Sequence, residues 1–225
     1  MIRSYEDFYG RLMEAGFSSI GGNDENVYSL FEQIDETTCK WHTGDPETDP
    51  WEWRIRVFEK RDEIIYSKIF FRKTGFITRE WYPYFLAARR DGKSFDDEYA
   101  AGTISQYAKR IYDAVSENGK LPLEEIKHIA KFTREEKSRF DNALVELQMR
   151  FYLMICGERR KISRAGEEYG WPSTVFCAVE TFWGDDVLAK AAQISADEAA
   201  EVLMKRIMEL NPQADKKKVL RFIKG

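Results

Sequence analysis

The segment from Trp41 to Trp53 concentrates the side chains of this sequence that are best suited to chemistry. It reads WHTGDPETDPWEW, so one imidazole and four carboxylates lie within eleven residues: His42, Asp45, Glu47, Asp49 and Glu52. Oxygen ligands at this density could hold a divalent cation, and a carboxylate beside an imidazole could transfer protons. The segment is therefore the first candidate for a chemical site.

The same letters also match a turn followed by the start of a helix. Asp49-Pro50-Trp51-Glu52 places Asp at a helix N-cap, Pro at the first helical position and Glu in the first turn. A single histidine lacks the paired His or Cys spacing of a zinc site, so no metal ligands and no cofactor are predicted. A polar pocket stays open as an alternative, with these candidates: His42, Asp45, Trp51 and Trp53.

Composition restricts the class of protein. The chain has 225 residues, of which 43% are hydrophobic and 14% aromatic, which is enough for a substantial core in one or two domains. No apolar run has the length of a membrane span, and the N-terminal residues turn acidic at once, unlike a signal peptide. Three widely spaced cysteines fit no zinc or CxxC pattern. We therefore expect a cytoplasmic protein without a membrane partner.

The net charge of −4 is distributed unevenly along the chain. Residues 1–52 carry 3 basic and 12 acidic side chains, whereas residues 53–93 carry 11 basic and 5 acidic ones. Such asymmetry indicates either an anion-binding face or two parts of one domain that pair with each other. In the basic block, cations alternate with aromatic residues, a combination that suits nucleic-acid contact or an aromatic core with a charged rim.

The stretch from Thr103 to Ser163 predicts three short helices and then a β-hairpin. Apolar residues recur at helical spacing in three runs, and Thr133 and Glu136 have the spacing of a capping box. Gly157-Glu158-Arg159-Arg160 is interpreted as the hairpin turn. Three helices followed by a hairpin are typical of a winged helix-turn-helix, a DNA-binding module. An ordinary three-helix domain is the alternative. Residues 91–102 are predicted as a polar linker before this module, and residues 166–172 are predicted as a loop after it.

Several residues of these two regions are candidates for DNA contact. The predicted recognition helix has a mixed outer face, on which Asn142 could read a base edge while nearby carboxylates would repel phosphate. The predicted turn carries three consecutive cations that suit phosphate contact, although a solvated turn would look the same. The candidates in full are Arg54, Arg56, Arg72, Lys73, Asn142, Arg159, Arg160 and Lys161.

The Trp-rich segment, together with Lys68-Ile69-Phe70-Phe71, Gly75-Phe76-Ile77 and Trp81-Tyr82-Pro83-Tyr84-Phe85, resembles a group of AlkZ-related bacterial proteins. AlkZ is a bacterial glycosylase that unhooks DNA interstrand crosslinks. The resemblance implies several winged helices around a DNA channel and a Gln-x-Gln or Gln-x-Asp motif that positions the attacking water. Gln33-Ile34-Asp35 has this form, which makes Gln33 and Asp35 the candidate catalytic pair.

These observations predict an α+β, helix-rich fold with tandem winged-helix-like units and a C-terminal helical tail. The expected divisions are a winged-helix-like unit at 1–100, a winged helix-turn-helix at 101–172 and a helical extension at 173–225. The first hypothesis is a protein that binds double-stranded DNA and excises alkylated or crosslinked bases, with Asp35 as base and Gln33 orienting the water. The alternatives are a non-catalytic winged-helix regulator or interaction protein, and a small-molecule-binding protein.

Overall fold

The chain divides into two compact units in the computed structural model, which describes residues 1–20, 25–60, 63–162 and 166–225. The first unit comprises residues 1–92 and 183–225, and the second comprises residues 93–182. Helices predominate over antiparallel strands, so the predicted helix-rich α+β class is confirmed. The predicted division of the chain into parts at 1–100, 101–172 and 173–225 stays a prediction.

The elements follow one another along the chain, and the longest connection within the described residues joins the first 3₁₀ turn to α2. The first 92 residues contain α1 (Tyr5–Ala15), β1 (Phe17–Ser19), a 3₁₀ turn (Leu30–Gln33), α2 (Pro50–Arg56), a second 3₁₀ turn (Val57–Lys60), β2 (Ile64–Phe70), β3 (Lys73–Thr78) and α3 (Tyr82–Arg90). Next come α4 (Phe95–Ala100), α5 (Gln106–Asn118), β4 (Leu121–Pro122), α6 (Leu123–Ile129), α7 (Lys137–Met149), β5 (Leu153–Ile162), β6 (Glu168–Ala178) and α8 (Val179–Trp183). The C-terminal segment contains α9 (Asp185–Ala192), α10 (Ala196–Leu210) and α11 (Lys216–Lys224).

The two units share one order of elements and one pattern of strand pairing. In the first unit, α1 and β1 precede a 3₁₀ turn, α2 and the β2–β3 hairpin, and β1 pairs antiparallel with β3. In the second unit, α5 and β4 precede α6, α7 and the β5–β6 hairpin, and β4 pairs antiparallel with β6. Each unit therefore contributes three strands, and the earliest of them pairs with the outer side of a later hairpin.

The core of the first unit is aromatic, and the C-terminal segment completes it. Phe8 of α1 stacks on Trp53 of α2 with ring centroids 5.2 Å apart. Phe222 of α11 stacks on Phe70 of β2 at 3.7 Å, and both side chains are buried. Aromatic side chains supply large buried areas, so residues far apart in sequence hold this unit together.

The second unit corrects three predictions. The polar linker predicted before the winged module contains α4, which has a capping box between Ser94 and Asp97. The predicted hairpin turn at residues 157–160 lies inside β5, because the hairpin is longer than expected. Most of the loop predicted at residues 166–172 belongs to β6.

Candidate functional site

The candidate pair Gln33 and Asp35 lies beside the N-terminus of the chain. Ile34, between them, is buried and forms a parallel bridge with Ile2. The amide of Ile2 donates to the carbonyl of Gln33 at 2.7 Å, and the amide of Asp35 donates to the carbonyl of Ile2 at 2.9 Å. These backbone bonds fix the positions from which both candidate side chains extend.

Asp35 has both carboxylate oxygens engaged. Its Oδ2 accepts from Nε of Arg3 at 2.9 Å, and its Oδ1 accepts from the amide and hydroxyl of Thr37 at 3.0 and 2.5 Å. The hydrogen bonds from Thr37 and Arg3 lower the pKa of Asp35 to about 2. Asp35 is therefore a fixed negative charge at neutral pH, and it is a weak proton acceptor because a general base works best with a pKa near the working pH.

The amide of Gln33 is oriented by two neighbours. Its Oε1 accepts from Nη1 of Arg11 at 3.3 Å, and its side chain is also hydrogen-bonded to Tyr28. Burial raises the pKa of Tyr28, so its hydroxyl stays protonated and can serve in this bond. The structure therefore holds Gln33 in place, as a water-positioning residue requires.

Asp49 organises the Trp-rich segment. It is buried, and its carboxylate accepts from the backbone amides of Thr43 at 2.7 Å, Gly44 at 2.9 Å and Trp51 at 2.8 Å. Burial raises the pKa of Asp49, but the backbone donors together lower it below its usual value. The predicted N-cap role is confirmed, because Asp49 starts α2 with Pro50 in the first turn.

The pocket candidates separate into exposed and buried members. The rings of His42 and Trp51 lie 4.9 Å apart, and the guanidinium of Arg54 lies 3.9 Å from the centre of the Trp51 ring. His42 and Asp45 are exposed, and Asp45 forms a local turn with Glu47 and Thr48. Trp53 is fully buried in the core, so its surroundings differ from those of the other candidates.

The two candidate regions adjoin within the first unit. Trp41 stacks on Phe31 with ring centroids 5.8 Å apart, and Phe31 lies two residues before Gln33. Trp41 and Trp51 are 41% and 36% exposed. An aromatic surface therefore lies close to the Gln33–Asp35 segment. Among the described residues, no cluster of His, Cys, Asp and Glu is arranged to hold a metal ion.

The cationic candidates of the first unit occupy two places. Arg56 on α2 pairs with Glu47 at 2.8 Å and lies over the ring of Tyr5 at 4.1 Å, so it stabilises the Trp-rich segment. Arg72 and Lys73 are exposed at the tip of the β2–β3 hairpin. The turn there consists of Phe71 and Arg72.

The second unit exposes cations at the start of α7 and before it. Asn142 is exposed, as predicted for the outer face of this helix. Lys131, Arg134 and Lys137 are also exposed, and no carboxylate of the described residues forms an ion pair with them. Sequence reasoning missed these three cations because it considered the outer face of the helix but neither its first residue, Lys137, nor the segment before it.

The β5–β6 hairpin combines cations with exposed apolar side chains. Arg159 pairs with Glu125 at 2.9 Å and Arg160 with Glu168 at 3.7 Å, and all four side chains are at least half exposed. Ile162, Tyr169 and Trp171 are 67%, 56% and 85% exposed. Tyr169 and Trp171 were missed because the region was interpreted as a loop, yet two large exposed aromatics beside three cations are a recognisable signal.

The model of the family described as AlkZ related matches residues 2–224. The chain belongs to the AlkZ-related family. No curated protein and no solved structure matches the chain. The match spans both units, which agrees with the resemblance seen in the Trp-rich segment and the basic block that follows it.

Membership of the AlkZ-related family relates the chain to DNA glycosylases. The site roles proposed for individual residues stay predictions, including those of Gln33 and Asp35. None of the helices in the described part of the chain combines the length and apolar character needed to cross a membrane.

Proposed function

We propose that this chain binds duplex DNA and that the β5–β6 hairpin is one of its principal contacts. The observation that carries the proposal is the combination, on one hairpin, of three consecutive cations and two aromatic side chains exposed to solvent. Folding gives no reason to leave Trp171 85% exposed. In a duplex, an exposed aromatic side chain can insert between base steps, and neighbouring cations neutralise phosphates.

The topology supports the interpretation of both units as winged helices. Each has a helix, a strand, two helical segments and a hairpin, and the first strand pairs with the last one. In helix-turn-helix modules, the N-terminal residues of the second helix contact base edges in the major groove. By this comparison, Lys137 and Asn142 of α7 are candidates for groove contact, and Lys131 and Arg134 are candidates for phosphate contact.

The charges of the second unit favour an anionic partner. Lys161 and the three cations near the start of α7 have no ion pair with any described carboxylate. The pairs formed by Arg159 and Arg160 are solvent-exposed, and such pairs contribute little to stability. A phosphate can therefore replace the carboxylate at small cost. The whole chain has a net charge of −4, so this local excess of exposed cations does not follow from its overall composition.

A second candidate function is excision of a damaged base, which family membership and the Gln33-Ile34-Asp35 segment favour. With a pKa of about 2, Asp35 suits electrostatic stabilisation of positive charge on the sugar better than proton abstraction. Gln33 would orient the attacking water from its position beside Arg11 and Tyr28. The candidate for contact with an unstacked base is Trp41, which is exposed and stacks on Phe31, two residues before Gln33.

Binding is tested with a fluorescent duplex titrated with the full chain across a salt series. We expect the logarithm of the binding constant to fall linearly with the logarithm of the salt concentration. The variant Arg159→Ala/Arg160→Ala/Lys161→Ala should reduce the magnitude of this slope by about 0.9 for each phosphate contact that is lost. The matched control Lys40→Ala/Lys120→Ala/Lys205→Ala removes the same charge from other exposed positions. Absence of binding at low salt would overturn the proposal.

Excision is tested separately, with duplexes that contain alkylated or crosslinked bases. We expect Gln33→Ala and Asp35→Asn to abolish release of the base while leaving the salt slope of binding unchanged. If the wild-type protein binds these duplexes without releasing a base, the chain is a non-catalytic DNA-binding protein and the second candidate function is rejected.

A further inference from the structure

The C-terminal helix α11 presents one apolar face to the core and one basic face to solvent. Val219, Phe222 and Ile223 are fully buried. Arg89 of α3 donates to the carbonyls of Phe222 and Ile223 at 2.8 Å each, so the last turn is also tied down by hydrogen bonds. The helix is therefore held in one rotation about its axis, which fixes the direction of its basic face.

The basic face carries several cations that form no ion pair within the described residues. Lys216, Lys217, Arg221 and Lys224 are exposed, and none of them forms an ion pair with a carboxylate in the described residues. Lys218 differs, because it lies 3.8 Å from Glu25. Lysines in the first turn oppose the helix dipole, which disfavours cations at that end. Stability of the helix therefore does not explain Lys216 and Lys217, whereas Arg221 and Lys224 lie in the last turn, where the dipole favours cations.

The tip of the β2–β3 hairpin lies beside this helix and carries further cations. Phe71 contacts Phe222, with ring centroids 6.1 Å apart, and the guanidinium of Arg221 lies 5.5 Å from the centre of the Phe71 ring. Phe71, Lys73 and Phe222 also line one small recess of the first unit. Exposed Arg72 and Lys73 therefore extend the basic face of α11 onto the hairpin.

The backbone of this tip is strained. Phe71 and Arg72 have φ values of 50° and 62°, and they are the two residues of a tight turn between Phe70 and Lys73. Such turns favour Asn and Gly, since other side chains resist the left-handed conformation. Strain of this kind concentrates at functional positions. Its presence here is independent of the charge on α11.

We propose that α11 and the tip of the β2–β3 hairpin form a second phosphate-binding surface, which contacts the backbone of duplex DNA. Lys217, Arg221 and Lys224 follow one side of the helix over about 10 Å, a length that faces about three phosphates of one strand. A lipid surface fits less well, because the apolar face of α11 is already buried and cannot enter a bilayer. The proposal rests on the proposed function for the identity of its partner.

The test uses the full chain, the fluorescent duplex and the same salt series. Lys217→Ala/Arg221→Ala/Lys224→Ala is expected to lower the magnitude of the salt slope by about 2 to 3, on the basis of 0.9 per phosphate contact. The control Lys40→Ala/Lys120→Ala/Lys205→Ala is expected to keep the wild-type slope. All six positions are exposed, and circular dichroism verifies that each variant is folded.

A second measurement uses the unaltered protein. Lys217 and Lys224 are expected to be protected from acetylation when duplex DNA is bound, whereas Lys205 is expected to remain reactive. If the wild-type protein binds but the α11 variant keeps the control slope and Lys217 stays reactive, this surface is rejected and the proposed function survives. If the wild-type protein does not bind duplex DNA at all, both proposals are overturned.

Discussion

Asp35 shows how local hydrogen bonds decide what a candidate catalytic residue can do. Donors from Thr37 and Arg3 hold its pKa near 2, below the usual 3.8. A carboxyl group with a depressed pKa in the folded state stabilises that state above its unfolded pKa, and this contribution is lost as the pH falls through the folded value. The sequence motif indicated the residue but could not indicate this restraint, because Arg3 is distant in the chain.

We therefore predict a pH-dependent effect of Asp35→Asn. The free energy of unfolding of the variant should fall below that of the wild-type protein by a constant amount above about pH 4. The difference should shrink as the pH falls from 4 towards 2, since Asp35 becomes protonated in both states. Urea denaturation across this range measures it. A difference that stays constant down to pH 2 would contradict the depressed pKa.

Two glycines near α1 give a matched pair of opposite predictions. Gly16 ends α1 with φ of 95°, and a Cβ there would overlap the indole of Trp81. Gly10 lies inside α1 with nothing within 4 Å of such a Cβ. Gly16→Ala should destabilise the protein by about 2–4 kcal/mol through strain and overpacking. Gly10→Ala should stabilise it by about 0.5–1 kcal/mol. Thermal unfolding measures both variants. A shift of the unfolding midpoint in the same direction for both would contradict the prediction.

The predicted helix caps had two outcomes. Asp49 is confirmed as an N-cap, because its side chain accepts from the amide of Trp51. The capping box predicted at Thr133 and Glu136 was wrong, because α7 begins at Lys137, with Glu136 at its N-cap and no side-chain cap. Caps are local, so their signal is contained within four residues. Burial, in contrast, depends on residues that are distant in sequence. Trp51 and Trp53 are two residues apart, yet Trp51 is exposed and Trp53 belongs to the core.

At the scale of elements, the β5–β6 hairpin was predicted in the right place but with the wrong length. Gly157 suggested a turn, whereas it lies at a bulge within β5 and tolerates φ of 145° there. Charged strands that extend into solvent lack the alternating apolar pattern from which strands are recognised. The bulge and the charges together concealed the outer half of the hairpin.

This hairpin yields a prediction that separates function from folding. Trp171→Ala should leave the unfolding midpoint unchanged, because the side chain is 85% exposed. It should weaken duplex binding by about 1–3 kcal/mol, because the stacking of the indole inserted between base steps is lost. Fluorescence anisotropy and thermal melts measure the two effects. Ser173→Ala, on the same strand and without a large ring, serves as the control. Unchanged affinity would remove Trp171 from the DNA contact.

At the scale of the whole molecule, the shared topology of the two units was invisible in the sequence. The similarity lies in which strand pairs with which rather than in the residues, so it leaves no repeat in the sequence. The role of the C-terminal segment was also hidden from the sequence, because its contacts are made with residues that are distant in the chain. It was predicted as a tail, but Phe222 packs against Phe17, Phe70 and Phe85 of the first unit.

The first unit therefore depends on a segment that follows the second unit in the chain. Arg206 of α10 donates to the carbonyls of Glu14 and Ala15 at 2.6 and 3.3 Å, which closes the end of α1. Removing residues 183–225 would expose several buried Phe side chains, each contributing about 1.5–3 kcal/mol. That loss, with the hydrogen bonds, is comparable to the entire stability of a typical domain.

We predict that a fragment of residues 1–182 loses the first unit and keeps the second. Trp171 is the one tryptophan of the second unit and is already exposed, so changes in indole emission report on the first unit. The fragment should show red-shifted emission and should retain the helical circular dichroism of α5 and α7. Hydrogen exchange should show protection in α5 and α7 but not in α1 or α3. Protection of α1 in the fragment would mean that the C-terminal segment is not required for the first unit to fold.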